Sequence, residues 1–161
     1  MKQWIENYNH ADVETDAIPS ACIQAAALAQ TVMTSTLKRA TASCLALGRH
    51  ASAADAIFSE AELPHAPWSA PSLPPKVWAI VLRVLWRCGY AHGAQSHAST
   101  RTRAEAAAGK LVLAASAGPV LLVGHAIMNR YIGKELRKLG WTAVSGHGDR
   151  YWGMRVYQAS T

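Results

Sequence analysis

The sequence predicts an α/β fold, a three-layer sandwich with a mostly parallel sheet and helices on both faces. Three observations carry that expectation. TVMTS (residues 31–35) is rich in β-branched residues and VLLV (residues 120–123) is continuously apolar, as strands covered on both faces are. Each runs directly into a stretch with helical spacing of its apolar residues, so strands and helices alternate along the chain. The 161 residues are 50% hydrophobic and 16% charged, enough to enclose a core and too apolar for disorder. A single domain over residues 1–161 is the simplest organisation, with no internal repeat.

Taken in order, Trp4, Ile5 and Tyr8 share one face of a short opening helix, and a polar loop follows through Pro19. TVMTS forms a strand and LKRATASCLAL (residues 37–47) a helix. There Leu37, Ala40, Cys44 and Leu45 fall at helical spacing, and Gly48 stands where a helix stops. DAIFSEAEL (residues 55–63) is expected as another short strand. PHAPWSAPSLPP (residues 64–75) holds five of the seven prolines and is an irregular loop. Val77, Ile80, Val81, Val84, Leu85 and Cys88 then mark an amphipathic helix, on which Trp78, Leu82 and Trp86 add a second apolar stripe. That stripe is expected to pack in the core and under a lid. Ser96 to Ser116 is an Ala-rich helix carrying Arg101, Arg103 and Lys110. The strand VLLV, a helix from Ala126 to Leu139 and a closing strand within YWGMRVY (residues 151–157) complete the order.

Composition narrows the function. A net charge of +6 favours anionic partners. Cys22, Cys44 and Cys88 are odd in number, widely spaced and free of any CxxC, which fits a reducing cytoplasm and no zinc site. No segment approaches the roughly 20 apolar residues of a membrane span, and MKQWIENYNH lacks the apolar core of a signal peptide. The expectation is a cytoplasmic protein without membrane contact, metal or cofactor. Homodimer formation is left open.

Two strand ends carry the chemistry. TVMTS opens into Lys38-Arg39 and VLLV into Gly124-His125, and ligands in open α/β sheets sit beyond the carboxyl ends of strands. The helix after His125 aims its first N–H groups, at Ala126 and Ile127, into the same corner. An imidazole, a guanidinium and a helix N-terminus together suit a phosphate group.

In this order, TSTLKRATASCLALG (residues 34–48) and VLLVGHAIMNR (residues 120–130) resemble the histidine phosphatase (phosphoglycerate mutase-like) superfamily. FSEAELP (residues 58–64) resembles its acidic segment, and YAHGAQSHASTRTRAEAAAGKL (residues 90–111) its helix after a Gly-Glu-Ser motif. The resemblance runs in coarse register from about Trp4 to Tyr157. It implies phosphoryl transfer through a phosphohistidine. A histidine of an Arg-His-Gly motif attacks phosphorus, two arginines and a second histidine hold the phosphoryl oxygens, and a carboxylic acid protonates the leaving group. Arg39 matches the second arginine and His125 the second histidine. Glu60 matches the acid, with Glu62 as the alternative. The implied catalytic set is Arg39, His125 and Glu60, and the implied phosphate-binding set is Arg39, His125 and Ala126.

The departure from the pattern is the nucleophile. The sequence contains no Arg-His-Gly, and Met1 falls at what resembles the family's helix after that motif. The expectation is that about 25 further residues, one strand and its loop, lie upstream in the reading frame. The alternative is a true loss, which would leave two strands of the sheet with unpaired backbone groups. Arg49-His50 is followed by Ala51 and read as a surface turn, His10 has no strand before it, and Gln95 replaces the Glu of the Gly-Glu-Ser motif. His92 and His97 are at the wrong offset to share a helix face, His65 sits in the Pro-rich loop, and His147 is read as an exposed turn residue. The resulting expectation is a phosphomonoester hydrolase, weakly active or inactive as given, acting on a phosphorylated small molecule. Mutase action is disfavoured because 161 residues leave little room for insertions that close over a substrate. The alternatives are a non-catalytic phosphate-ligand or protein-binding protein and, from charge alone, a basic nucleic-acid-binding domain in which Arg101, Arg103 and Lys110 would otherwise only solvate their helix. Nucleic acid is not the expected partner.

Overall fold

Val32 and Leu122 face opposite layers of the molecule, and that alternation organises the fold. The computed structural model describes residues 18–65, 74–147 and 151–160. Over these the chain runs α1 (Ser20–Leu28), β1 (Thr31–Thr34), α2 (Lys38–Ala46), β2 (Ala53–Ala54), a 3-10 turn (Ala56–Phe58), α3 (Pro75–Arg87), α4 (His97–Ala115), β3 (Val120–Val123), α5 (Ala126–Lys138), β4 (Trp141–His147) and β5 (Met154–Ala159). β2, β1 and β3 form a parallel sheet in that order, and β1 lies against β3 with Thr31 opposite Val120 and Thr34 opposite Val123. β4 and β5 make a separate antiparallel ladder with an irregularity between Ala143 and Ser145.

Side chains alternate across the parallel sheet as the two-residue period of a strand requires. Met33, Val120 and Leu122 pack on the main core, built from Phe58, Trp86, Ala104, Ala107, Ala108, Leu111, Met128, Tyr131, Ile132 and Leu136. Val32, Leu121 and Val123 pack on the other face with Ala29 and Cys44, and Leu121 and Val123 also meet the cluster of Cys22, Ala26 and Leu47. Helices α1 and α2 therefore cover one face, α4 and α5 the other. The expected α/β sandwich is what the chain forms.

Two of the sequence expectations need correction. DAIFSEAEL is no strand: Asp55 caps a 3-10 turn by accepting the Ile57 N–H, and the Arg103 guanidinium takes the carbonyls of Ile57 and Ser59 that a ladder would have used. On α3 the stripe of Leu82 and Trp86 faces the core as expected, both fully buried, whereas Val77, Ile80, Val84 and Cys88 of the other stripe are exposed. Among the described residues β1 and β3 pair directly over four residues, so their facing edges are not left with the unpaired backbone groups expected of a lost strand. Three elements have no counterpart in the reading of the sequence, namely α1, β2 and β4. The closing strand begins at Met154, three residues later than Tyr151. The opening helix around Trp4 and residues 66–73 of the Pro-rich loop lie outside the described residues. No helix among the described residues is long and apolar enough to cross a membrane.

Helix α5 approaches β5 at Gly133, where an added Cβ would lie 2.1 Å from Tyr157 Oη. That hydroxyl is buried and has no hydrogen-bond partner among the described residues. Gly133→Ala should therefore lower stability by about 1–3 kcal/mol, the overpacking cost outweighing the roughly 1 kcal/mol gained from helix propensity. Tyr157→Phe in the same chain should restore most of it in thermal melts. A Gly133→Ala protein as stable as the parent would contradict the packing described.

Candidate functional site

Parallel strands end side by side, so β1 and β3 deliver Ser35 and His125 to one edge of the sheet. Ser35 is fully buried and His125 nearly so, and Ser35 Oγ lies 2.7 Å from His125 Nε2. Arg39, on the first turn of α2, reaches back to place Nε 3.3 Å from His125 Nδ1. An arginine Nε–H can only donate, so Nδ1 is the acceptor and the ring proton sits on Nε2, from which it donates to Ser35. Ser35 Oγ also accepts the Leu37 N–H at 3.3 Å. With two donors on its oxygen, Ser35 has its own hydroxyl proton left to give an incoming acceptor.

Gly124 leaves room for the Asn129 side chain. A Cβ there would stand 2.6 Å from Asn129 Oδ1, one turn into α5. Asn129 also donates its N–H to the His125 carbonyl at 2.7 Å, the first bond of the helix. His125 occupies the N-cap position but turns its ring away, so no side chain at that position caps α5.

Glu60 supplies the cap from far along the chain. Its Oε1 accepts from Met128 N at 3.0 Å and its Oε2 lies 3.5 Å from Ile127 N. The N–H of Ile127, expected to await a ligand, thus faces a carboxylate, while Ala126 is exposed at the start of the helix. Glu62, the alternative, lies elsewhere and accepts the Gln95 N–H at 2.9 Å. The residues expected to act together, Arg39, His125 and Glu60, meet at one corner.

The Glu60 segment is held through its backbone. Arg103 donates to the carbonyls of Ile57, Ser59 and Glu60, at 3.1, 2.6 and 3.4 Å, and through Nε to Gln95 Oε1 at 3.0 Å. Arg83 donates to the carbonyls of Ala61 and Glu62 and lies over the Trp86 ring. The sequence reading gave Arg103 only a solvated helix face or a nucleic-acid contact, and no place at this corner. The usable signal was its place beside the buried stripe of Thr100, Ala104, Ala107 and Leu111 on α4. Lys110 likewise pairs with Asp55 rather than merely solvating the helix.

Burial first, and then the positive charges of Arg39 and Arg103, push the His125 ring down to a pKa of about 4. The ring is neutral at neutral pH. Arg49 is spent on the carbonyls of Ala26, Ala27 and Ala29 at the end of α1, and His50 is exposed, so Arg49-His50 does not enter the corner. The rings of His65 and His92 meet edge-on at 5.0 Å, and His97 sits against Trp86 and Tyr131. No trio of His, Cys, Asp and Glu able to hold a metal occurs among the described residues. His10 and the side chain of His147 lie outside what is described.

No family model and no curated protein sequence matches this chain. Among solved structures, the protein of the open reading frame Rv3214 from Mycobacterium tuberculosis is similar in fold, with a TM-score of 0.53 at 17% identity. The match covers 70% of this chain and 61% of that one, so this chain spans less than two thirds of the other protein's length. At that identity the likeness is one of fold.

A buried neutral histidine makes stability depend on pH. The unfolded chain takes up a proton near 6.5 and the folded ring only near 4, so this contribution is complete above about pH 6.5 and is lost as pH falls towards 4. It amounts to on the order of 3 kcal/mol. His125→Gln should flatten the fall in melting temperature between pH 6.5 and pH 4. Equal slopes for the two proteins would contradict the buried neutral ring.

Proposed function

We propose that the corner of Arg39, His125 and the first turn of α5 binds the phosphate group of a small molecule, and that the chain is a phosphomonoester hydrolase of the histidine phosphatase type, weakly active or inactive as it stands. One observation carries this reading. Arg39, Glu60 and His125 were matched to that superfamily from three separate segments, and they converge at one sheet edge.

The chemistry available suits binding better than turnover. A guanidinium, the Ser35 hydroxyl and the amide at Ala126 are the kinds of donor that meet phosphoryl oxygens, whereas the next amides of α5 are held by Glu60. Glu60 sits where a carboxyl group could serve the leaving oxygen, and its place on the α5 amides makes it a competitor for any phosphate oxygen directed there. Both nitrogens of His125 are engaged, so in this arrangement the ring is not a nucleophile and serves to position the Ser35 hydroxyl and the Arg39 guanidinium. The sequence supplies no Arg-His-Gly to take that part. The second reading, a phosphate-ligand binder without turnover, is favoured by the sheet. Among its three strands there is no gap for a nucleophile-bearing strand, since β1 pairs with both β2 and β3.

Calorimetric titration with inorganic phosphate and vanadate tests the site. A charge-assisted arginine contact is worth on the order of 1.5–3 kcal/mol, so Arg39→Ala should weaken binding roughly ten- to a hundred-fold. Glu60→Gln should strengthen it by removing the competing charge, and Arg137→Ala, far from the corner in the ring contact with Tyr157, should leave it unchanged. Hydrolysis of p-nitrophenyl phosphate should be marginal. Parent-like binding by Arg39→Ala would sink the site assignment. Strong turnover abolished by replacing His50 would instead show that the nucleophile lies at Arg49-His50.

A further inference from the structure

A second concentration of positive charge lies where α3, α4 and α5 converge. His97 opens α4, and its Nε2 is 3.0 Å from Tyr131 Oη of α5. Its ring meets Trp86 of α3 edge-on at 4.9 Å and Tyr131 at 5.6 Å. Three cations stand on the helices that carry this aromatic cluster. Arg87 follows Trp86 at the end of α3, Arg101 lies one turn beyond His97, and Lys134 stands over the Tyr131 ring at 5.5 Å. All three side chains are exposed.

None of the three is held in an ion pair among the described residues, where the pairs formed are Lys110 with Asp55 and Lys138 with Glu135. Glu105 and Glu135 line a neighbouring groove with Arg101, yet Glu135 is held by Lys138 and neither carboxylate is within ion-pair distance of Arg101. The His97 ring registers the result. After burial, Arg101, Arg87 and Lys134 each press its pKa below the usual value, and no carboxylate opposes them. The positive end of the α4 dipole adds to the same field. Like charges on three neighbouring helices raise the local positive potential, and no ion pair among the described residues offsets it. A bound anion would.

We propose that Arg87, His97, Arg101 and Lys134 form a second anion site, separate from the Arg39–His125 corner, that takes a phosphate or carboxylate group of a small molecule. Arg101 and Lys134 supply most of the charge from flexible, exposed side chains. Tyr131 and Trp86 form its floor and hold His97 in place.

The test follows the His97 ring proton resonance by NMR during titration of the whole chain with inorganic phosphate and, separately, acetate. Phosphate should shift the resonance saturably and raise the pH at which the ring titrates. Arg101→Ala with Lys134→Ala should weaken that response at least ten-fold, and Arg101→Lys with Lys134→Arg should retain it. Arg39→Ala should leave it intact, which keeps this proposal distinct from the reading of the first corner. A stronger response to phosphate than to acetate identifies a phosphate group as the ligand chemistry, and the reverse order identifies a carboxylate. A ring indifferent to both anions overturns the proposal. So does a response that survives the double alanine substitution or vanishes with Arg39→Ala.

Discussion

The parallel register of β1 against β3 is the constraint on which the candidate site depends. Thr34 stands opposite Val123, and its Oγ1 donates to the Val123 carbonyl at 2.9 Å, which fastens the two strand ends together. The next residue of one strand is Ser35, and two residues past the other is His125. A slip of one residue would carry His125 about 3.3 Å along the strand and send alternate side chains to the wrong layer. The short Ser35–His125 contact could not survive it. Burial on both faces forbids that slip, because Val32 and Leu121 belong to one layer and Met33 and Leu122 to the other.

The arginines are used in an unexpected way. Arg49 donates to backbone carbonyls at the end of α1, and Arg83 and Arg103 donate to those of the segment around Glu60, which forms no sheet ladder. Much of the positive charge therefore serves to hold loops, and the net charge of +6 overstates the surface offered to anions. Arg103 joins the two uses. It fixes the backbone of the Glu60 segment, and its charge helps keep the His125 ring neutral. The carboxylate thus delivered to α5 satisfies amides that would otherwise face a buried corner unpaired.

Fold class was legible because VLLV and TVMTS had no face left for water and each ran into a helix. The pairing of Arg39 with His125 was legible for the same reason, since residues just past parallel strands must share an edge. What escaped did so for physical causes. Helix α1 is a run of alanines with scattered apolar residues, which marks no single face. β4 carries Thr142, Ser145 and Gly146 and is largely exposed, so it shows no buried-strand pattern. On α3 both stripes were apolar, and only tertiary packing decides that Leu82 and Trp86 turn inwards. Glu60 was recognised by resemblance alone. That it caps α5 depends on a contact across more than sixty residues, which no local pattern encodes.

The central claim is that Arg39 holds His125 as a neutral ring with its proton on Nε2, in a corner that an anion can enter. Nitrogen-15 shifts of the His125 ring measure this directly. Without ligand, Nδ1 should show the unprotonated and Nε2 the protonated value, and this state should persist down to a pH of about 4. Saturating phosphate should bring the ring's titration upward, because a bound anion stabilises the imidazolium. A ring that titrates near 6.5 without ligand, or carries its proton on Nδ1, or ignores phosphate altogether, would contradict the account.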